Sequence, residues 1–134
     1  MAGSFTASVS AWVQKSEKRM EVVVKESAQR VGLEVKGRTR VDTGFLRASF
    51  LASTSAMPMI DRNARPAPGG AYTDNSSDIA LVIAGASLGQ TIYMGFTASY
   101  AGVREYRDGM VKLSAQQWPS IVNQVVAEAK ARYP

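Results

Sequence analysis

Small or apolar residues recur every three or four positions from Val9 to Val35, and no other feature narrows the fold as much. Val9, Val13, Ser16, Met20, Val24, Ser27, Val31 and Val35 form the stripe, and Trp12, Val23 and Ala28 widen it. This period predicts one amphipathic helix over about Ser8 to Val35, which is about 42 Å long at 1.5 Å per residue. Ser8 or Ser10 is expected to cap its start, Gly37 to end it and Gly32 to loosen its last turn. Glu21 attracts Lys25 at i,i+4, whereas Glu17 and Glu21 repel. Such a helix is longer than a 134-residue domain needs to cover its own sheet. Part of it is therefore expected to meet another subunit; packing of the whole stripe inside one molecule is the alternative.

The chain has no cysteine and no histidine. Disulfides, thiolate metal sites and Cys nucleophiles are excluded, along with the commonest metal ligand and general base. The 11 acidic residues are scattered without metal-like clustering, so neither a cofactor nor enzymatic chemistry is expected. No apolar run approaches the roughly 20 residues that span a bilayer. The start, Met1-Ala2-Gly3-Ser4-Phe5-Thr6, has neither the basic nor the apolar part of a secretory signal. Assembly in the cytoplasm, without a membrane partner, is the expectation, and one domain over 1–134 is the simplest organisation.

The net charge of +5 is uneven, because nine of the sixteen Lys and Arg residues lie between Lys15 and Arg47. Lys36, Arg38 and Arg40 are the densest part, read as a basic linker that faces phosphate or an acidic neighbour. No aromatic residue is interleaved there to stack on bases, which leaves non-specific DNA contact as the nucleic-acid reading. A solvated linker is the plainer alternative.

Asp42 and Gly44 then predict a tight turn, in which Asp42 accepts backbone N–H bonds and Gly44 supplies backbone freedom. Leu46, Ala48 and Phe50 alternate with polar or outward residues, which suits a strand; a short helical turn over Phe45 to Ala48 is the alternative. Val41, Asp42, Thr43, Gly44, Leu46 and Arg47 together form a Val-Asp-Thr-Gly-x-Leu-Arg segment after a long helix. This resembles the neck and tail-completion proteins of long-tailed bacteriophages, in which a similar turn leads from the first helix into the sheet. The resemblance implies a structural role for these six residues.

Asp42-Thr43-Gly44 also spells the loop motif of aspartic proteases, which hold paired carboxylates in an apolar, strand-rich setting. Here the approach is helical and basic, Phe45-Leu46-Arg47 follows, and Ile83-Ala84-Gly85-Ala86 does not supply the second segment. The protease reading is set aside.

From Met57 to Asp78 prolines, glycines and small polar residues predict a long loop at 57–78. Loops of this length are usually functional or mobile, and ordering on assembly is expected, with Met59, Ile60 and Tyr72 as adhesive inter-subunit contacts. Ile79 to Ala84, rich in β-branched residues, reads as a buried strand, and Thr91 to Phe96 as its antiparallel hairpin partner. Gly85 and Gly89 lack the Gly-Lys-Ser/Thr of a phosphate loop and read as turn residues.

Tyr100, Ala101, Glu105 and Tyr106 resemble the Tyr-Ala-x-x-x-Glu-Tyr-Gly stretch of the same family, with Arg107-Asp108 standing before Gly109. The spacing predicts a short helix that buries Tyr100, Val103 and Tyr106 and leaves Arg104, Glu105 and Arg107 as a charged rim for a neighbouring subunit. The closing helix carries the stripe Trp118, Ile121, Val122, Val125, Val126, Ala129 and Tyr133, with Lys130 and Arg132 at its C-terminal end. Ser114 and Gln117 resemble a capping box, but Pro119 predicts an interrupted start. Gln116-Gln117-Trp118-Pro119 is similar to the C-terminal part of prophage-encoded neck proteins.

The expected fold is α+β: a long N-terminal helix, a small mainly antiparallel sheet of three to four strands, and a C-terminal helix packed on the sheet. The resemblance implies a virion protein at the head-tail neck, assembled in the host cytoplasm. It implies a homo-oligomeric ring of six copies, or alternatively twelve, around the DNA channel. Head-closure and connector proteins would adjoin one side, and a tail terminator or tail-tube protein the other. A tail-terminator ring that stops tube polymerisation is the near alternative; a non-specific DNA-associated protein is the distant one.

Overall fold

The periodic stripe does form one helix. The structure, a computed structural model, describes residues 2–132, with side chains from residue 6 onward. Helix α1 runs over Ala2–Arg38, so Ser8 and Ser10 lie inside it and cap nothing. It also passes through Gly37 and ends where Thr39 Oγ1 donates to the Val35 carbonyl at 2.7 Å. Gly32 leaves α1 regular and serves close packing: a Cβ there would stand 3.2 Å from Met94 Sδ. Lys25 Nζ reaches Glu21 at 2.7 Å, the attractive pair expected from the spacing.

After α1 come α2 (Phe45–Ala48), β1 (Phe50–Ser53), α3 (Ser76–Ala84), β2 (Tyr93–Phe96), α4 (Ala101–Asp108), α5 (Met110–Ala115) and α6 (Trp118–Arg132). The fold is a mixture of helix and strand with a long N-terminal helix, as expected. Among the described residues the sheet has two strands rather than three or four. β1 and β2 pair antiparallel, with Phe50 opposite Phe96 and Ser53 opposite Tyr93. The rings of Phe50 and Phe96 lie 4.8 Å apart. An isolated pair of strands is marginal in water, and here α1, α2 and α3 support it.

One expected strand begins later than the alternation suggested, and another is replaced by helix. Phe45 to Ala48 takes the helical alternative, so the strand starts only at Phe50. Ile79 to Ala84 lies inside α3, and no hairpin joins it to β2. The burial pattern gives the reason: Ile79 and Ile83 are buried at i,i+4 while Leu81 is 72% exposed. A strand would put all three on one face. A six-residue apolar run cannot be told from a buried helical segment by periodicity, and Asp78 in the first turn suits the helix dipole.

The core has two parts. One gathers Val35, Leu46, Phe50, Phe96, Ala98, Ala101 and Met110; the other joins Ala28 to Ile79 and Ile83. Met94 packs against both. Each large apolar side chain so buried stabilises the fold by about 1.5–3 kcal/mol.

The closing helix does not pack on the sheet. It lies along α1, antiparallel to it, since Met20 and Val24 share a groove with Val126 and Ala129 while Leu33 and Gly37 share one with Ile121 and Gln124. Ile121, Val125 and Ala129 supply its buried face, and Arg30 bridges to Glu128 at 2.5 Å. Trp118 is exposed, and Tyr133 is outside the described residues. The interrupted start is present as α5, a turn, and α6 with Pro119 in its first turn. Ser114 caps nothing; it is buried in α5 and donates to the Met110 carbonyl at 2.7 Å.

Candidate functional site

The Val41 to Arg47 segment is a structural joint. Gly44 has φ +87°, and a Cβ there would meet the Tyr72 carbonyl oxygen at 2.5 Å. The chain can make this close approach only with glycine. Tyr72 N donates to the Thr43 carbonyl at 3.0 Å. The side-chain bond expected from Asp42 comes from Thr43, whose Oγ1 accepts from Phe45 N at 3.3 Å. Phe45 meets the edge of Tyr72 at 5.0 Å and stacks on Tyr100 at 6.3 Å. Leu46 is buried in the core, and Arg47 Nε donates to the Lys36 carbonyl at 3.3 Å, a second bond beside the one that carbonyl accepts from Thr39 N at 3.2 Å at the end of α1. Val41 and Asp42 stay on the surface.

Beside the turn is a depression of about 500 Å³ that includes Arg40, Asp42, Thr43, Pro66, Tyr100 and Arg104 in its lining. Burial raises the Tyr100 hydroxyl above its ordinary pKa, and the Asp42 carboxylate adds to the effect. Among the described residues no three acidic side chains come together.

The basic segment is not a linker, and its three cations differ. Lys36 is only 4% exposed. Its ammonium binds the Asp74 carboxylate, Asn75 Oδ1 at 2.6 Å and Ser76 Oγ at 3.1 Å. The hydrogen bond from Lys36, followed by that from Ser76, holds Asp74 below the usual carboxylate range. Lys36 thus fastens α1 to the start of α3 and is withdrawn from DNA or any partner. Arg38 pairs with Glu34 at 3.3 Å. Arg40 is outermost, with Asp108 at 4.0 Å.

Of the expected buried side of α4 only Tyr100, half-buried against the first core cluster, is covered. Tyr106 is 92% exposed and Val103 is also outside, whereas Arg104 donates to Asp108 at 2.5 Å. Glu105 accepts from the N–H groups of Val111 and Lys112, each at 2.9 Å, at the start of α5. Of the predicted rim, Arg107 is exposed, while Arg104 and Glu105 are used inside the molecule. Gly109 at φ +64° ends α4 and turns the chain directly into α5. The three-to-four spacing that suggested a buried aromatic side could not reveal this turn.

The long loop is attached to its own molecule. Asp61 N donates to the Thr97 carbonyl at 2.9 Å, Ser99 N to the Ala64 carbonyl at 3.0 Å, and Ala67 N to the Tyr72 hydroxyl at 2.8 Å. These bonds attach it to the body of one copy, and its last residues become α3. Tyr72 is an internal contact, whereas Met59 and Ile60 remain exposed.

An uncovered apolar stretch lies on α1. Residues 6–15 are all exposed, and Trp12 is 68% exposed beside Val9 and Val13. Farther along the same stripe, Met20, Val23 and Val24 form one wall of an apolar groove of about 390 Å³. Leu88, Val126 and Ala129 complete it. The predicted contact residues omitted this surface. Its signal was present in the length of the stripe, but which half lacked cover depended on where α6 packs.

Compared with protein-family models, curated proteins and solved structures, the chain finds no match in any of the three.

Proposed function

We propose that this chain is a structural virion protein, one subunit of a hexameric ring at the neck of a long-tailed phage. The ring joins head-closure proteins to the tail around the DNA channel. The observation that carries the reading is the bare apolar face at the N-terminal half of α1. Single exposed apolar residues are ordinary, but a contiguous face rimmed by polar residues marks an association surface. The Val41 to Arg47 turn and the Tyr100 to Tyr106 stretch add the family resemblance.

The ring acts by shape and adhesion, and no bond is made or broken. Subunits are assembled in the host cytoplasm and end in the virion. With Lys36 occupied, Arg40 is the cation of the basic segment best placed for genomic phosphate, and its contact is non-specific.

Electron microscopy of particles lacking this protein tests the proposal. Full heads separated from tails of normal length are expected. Overlong tails would transfer the ring to tail termination. A purified chain that stays monomeric at every concentration and is missing from mature particles would overturn the reading.

A further inference from the structure

We infer that the N-terminal part of α1 from one copy, led by Val9, Trp12 and Val13, occupies the apolar groove of the next copy. This rests on the self-assembly just proposed. The groove is the one walled by Met20, Val23 and Val24 on α1, with Val126 and Ala129 on α6 and Leu88.

The occupant has to come from another molecule. Residues 6–15 and the α1 wall of the groove belong to one uninterrupted helix, which cannot fold back on itself. The groove continues the α1 and α6 packing seam, so a helix laid there extends an interface already formed within each copy. Residues 6–14, Thr-Ala-Ser-Val-Ser-Ala-Trp-Val-Gln, carry no charged side chain, and burying them strands no ion. The rim supplies Arg19 and Lys130. Arg19 Nε is buried without a hydrogen-bond partner among the described residues. The electron-rich face of Trp12 is the complement to such cations.

Donor and acceptor are different patches of the same chain, and each copy gives its helix to one neighbour and receives from another rather than exchanging helices reciprocally with a single partner. A heterologous contact of this kind makes a ring when the rotation between neighbours closes, whereas reciprocal exchange about a two-fold axis stops at a dimer.

The native chain has no cysteine, so paired cysteines report the contact directly. The full chain carrying Val13→Cys and Val126→Cys is oxidised and run without reductant. Covalent species extending beyond the dimer are expected, and they should disappear when Trp12→Glu is added. Each single-cysteine variant should give dimers at most. Circular dichroism of the Trp12→Glu protein should be unchanged, because that side chain is exposed within one copy.

Covalent dimers as the only product of the double variant would overturn the proposal in favour of pairing about a two-fold axis. No cross-link in a protein that still sediments as a multimer would overturn it while leaving the ring reading in place. A monomer without cross-links would remove both.

Discussion

The buried ammonium of Lys36 binds the carboxylate of Asp74, 38 residues farther along the chain. It ties the last turn of the longest helix to the residues that begin α3. The pair makes stability depend on pH in one direction. Asp74 titrates below its ordinary value in the folded state, so its contribution is complete above the unfolded carboxylate pKa of about 3.9 and disappears as pH falls through the folded value. Its side chain is 47% exposed, which limits the effect to about 1 kcal/mol. Urea unfolding at pH 7 and pH 3 should show Asp74→Asn losing less stability on acidification than the parent chain. Parallel losses would remove Asp74 from the acid response.

Gly44→Ala should destabilise the fold by about 1–3 kcal/mol, because the left-handed backbone is strained for alanine and the Tyr72 carbonyl blocks its Cβ. Thermal melting measures the change. A melting temperature equal to the parent's would mean that the turn relaxes freely.

Ser27 is fully buried in α1, and its Oγ has no hydrogen-bond partner among the described residues. Ser27→Ala should therefore be neutral or raise stability by about 1 kcal/mol, since it removes a desolvated hydroxyl and favours helix. A clear loss in denaturant unfolding would reveal a partner for that hydroxyl.

Arg30 joins α1 to α6 through Glu128, and the hydrogen bond to Glu128 raises the Arg30 pKa despite the opposing effect of burial. Both side chains are partly exposed. Glu128→Gln should therefore cost about 0.2–1 kcal/mol at low salt and less at high salt. Salt independence would show that packing, rather than charge, holds α6 at this point.

Tyr106→Ser should leave stability within about 0.5 kcal/mol of the parent, whereas Met110→Ala should cost about 2–5 kcal/mol. The contrast follows from Tyr106 standing outside α4 and Met110 being fully buried. Equal losses in the two variants would contradict this arrangement of the α4 and α5 pair.

Local chemistry was legible in the sequence wherever one element decides it. The α1 stripe, the freedom needed at Gly44, the Glu21 and Lys25 pair, the Pro119 break and β2, which lies within the Thr91 to Phe96 run, all follow from period, backbone freedom or adjacent charge. The Ile79 to Ala84 run was misread because its few apolar residues satisfy a strand and a helix equally. Lys36 looked available because its neighbours in sequence are basic, while the groups that bind it come from Asp74, Asn75 and Ser76.

The sequence by itself determined a long amphipathic helix, a glycine-dependent turn and more apolar periodicity than a small sheet requires. Only the tertiary structure decided that β1 pairs with β2, that α6 lies on α1 rather than on the sheet, and that Trp12 rather than Tyr72 faces outward. Periodicity acts through neighbours three or four residues apart and fixes a helix's apolar side. Which part of that side is covered depends on partners brought together from distant positions, and no local pattern specifies where their coverage ends.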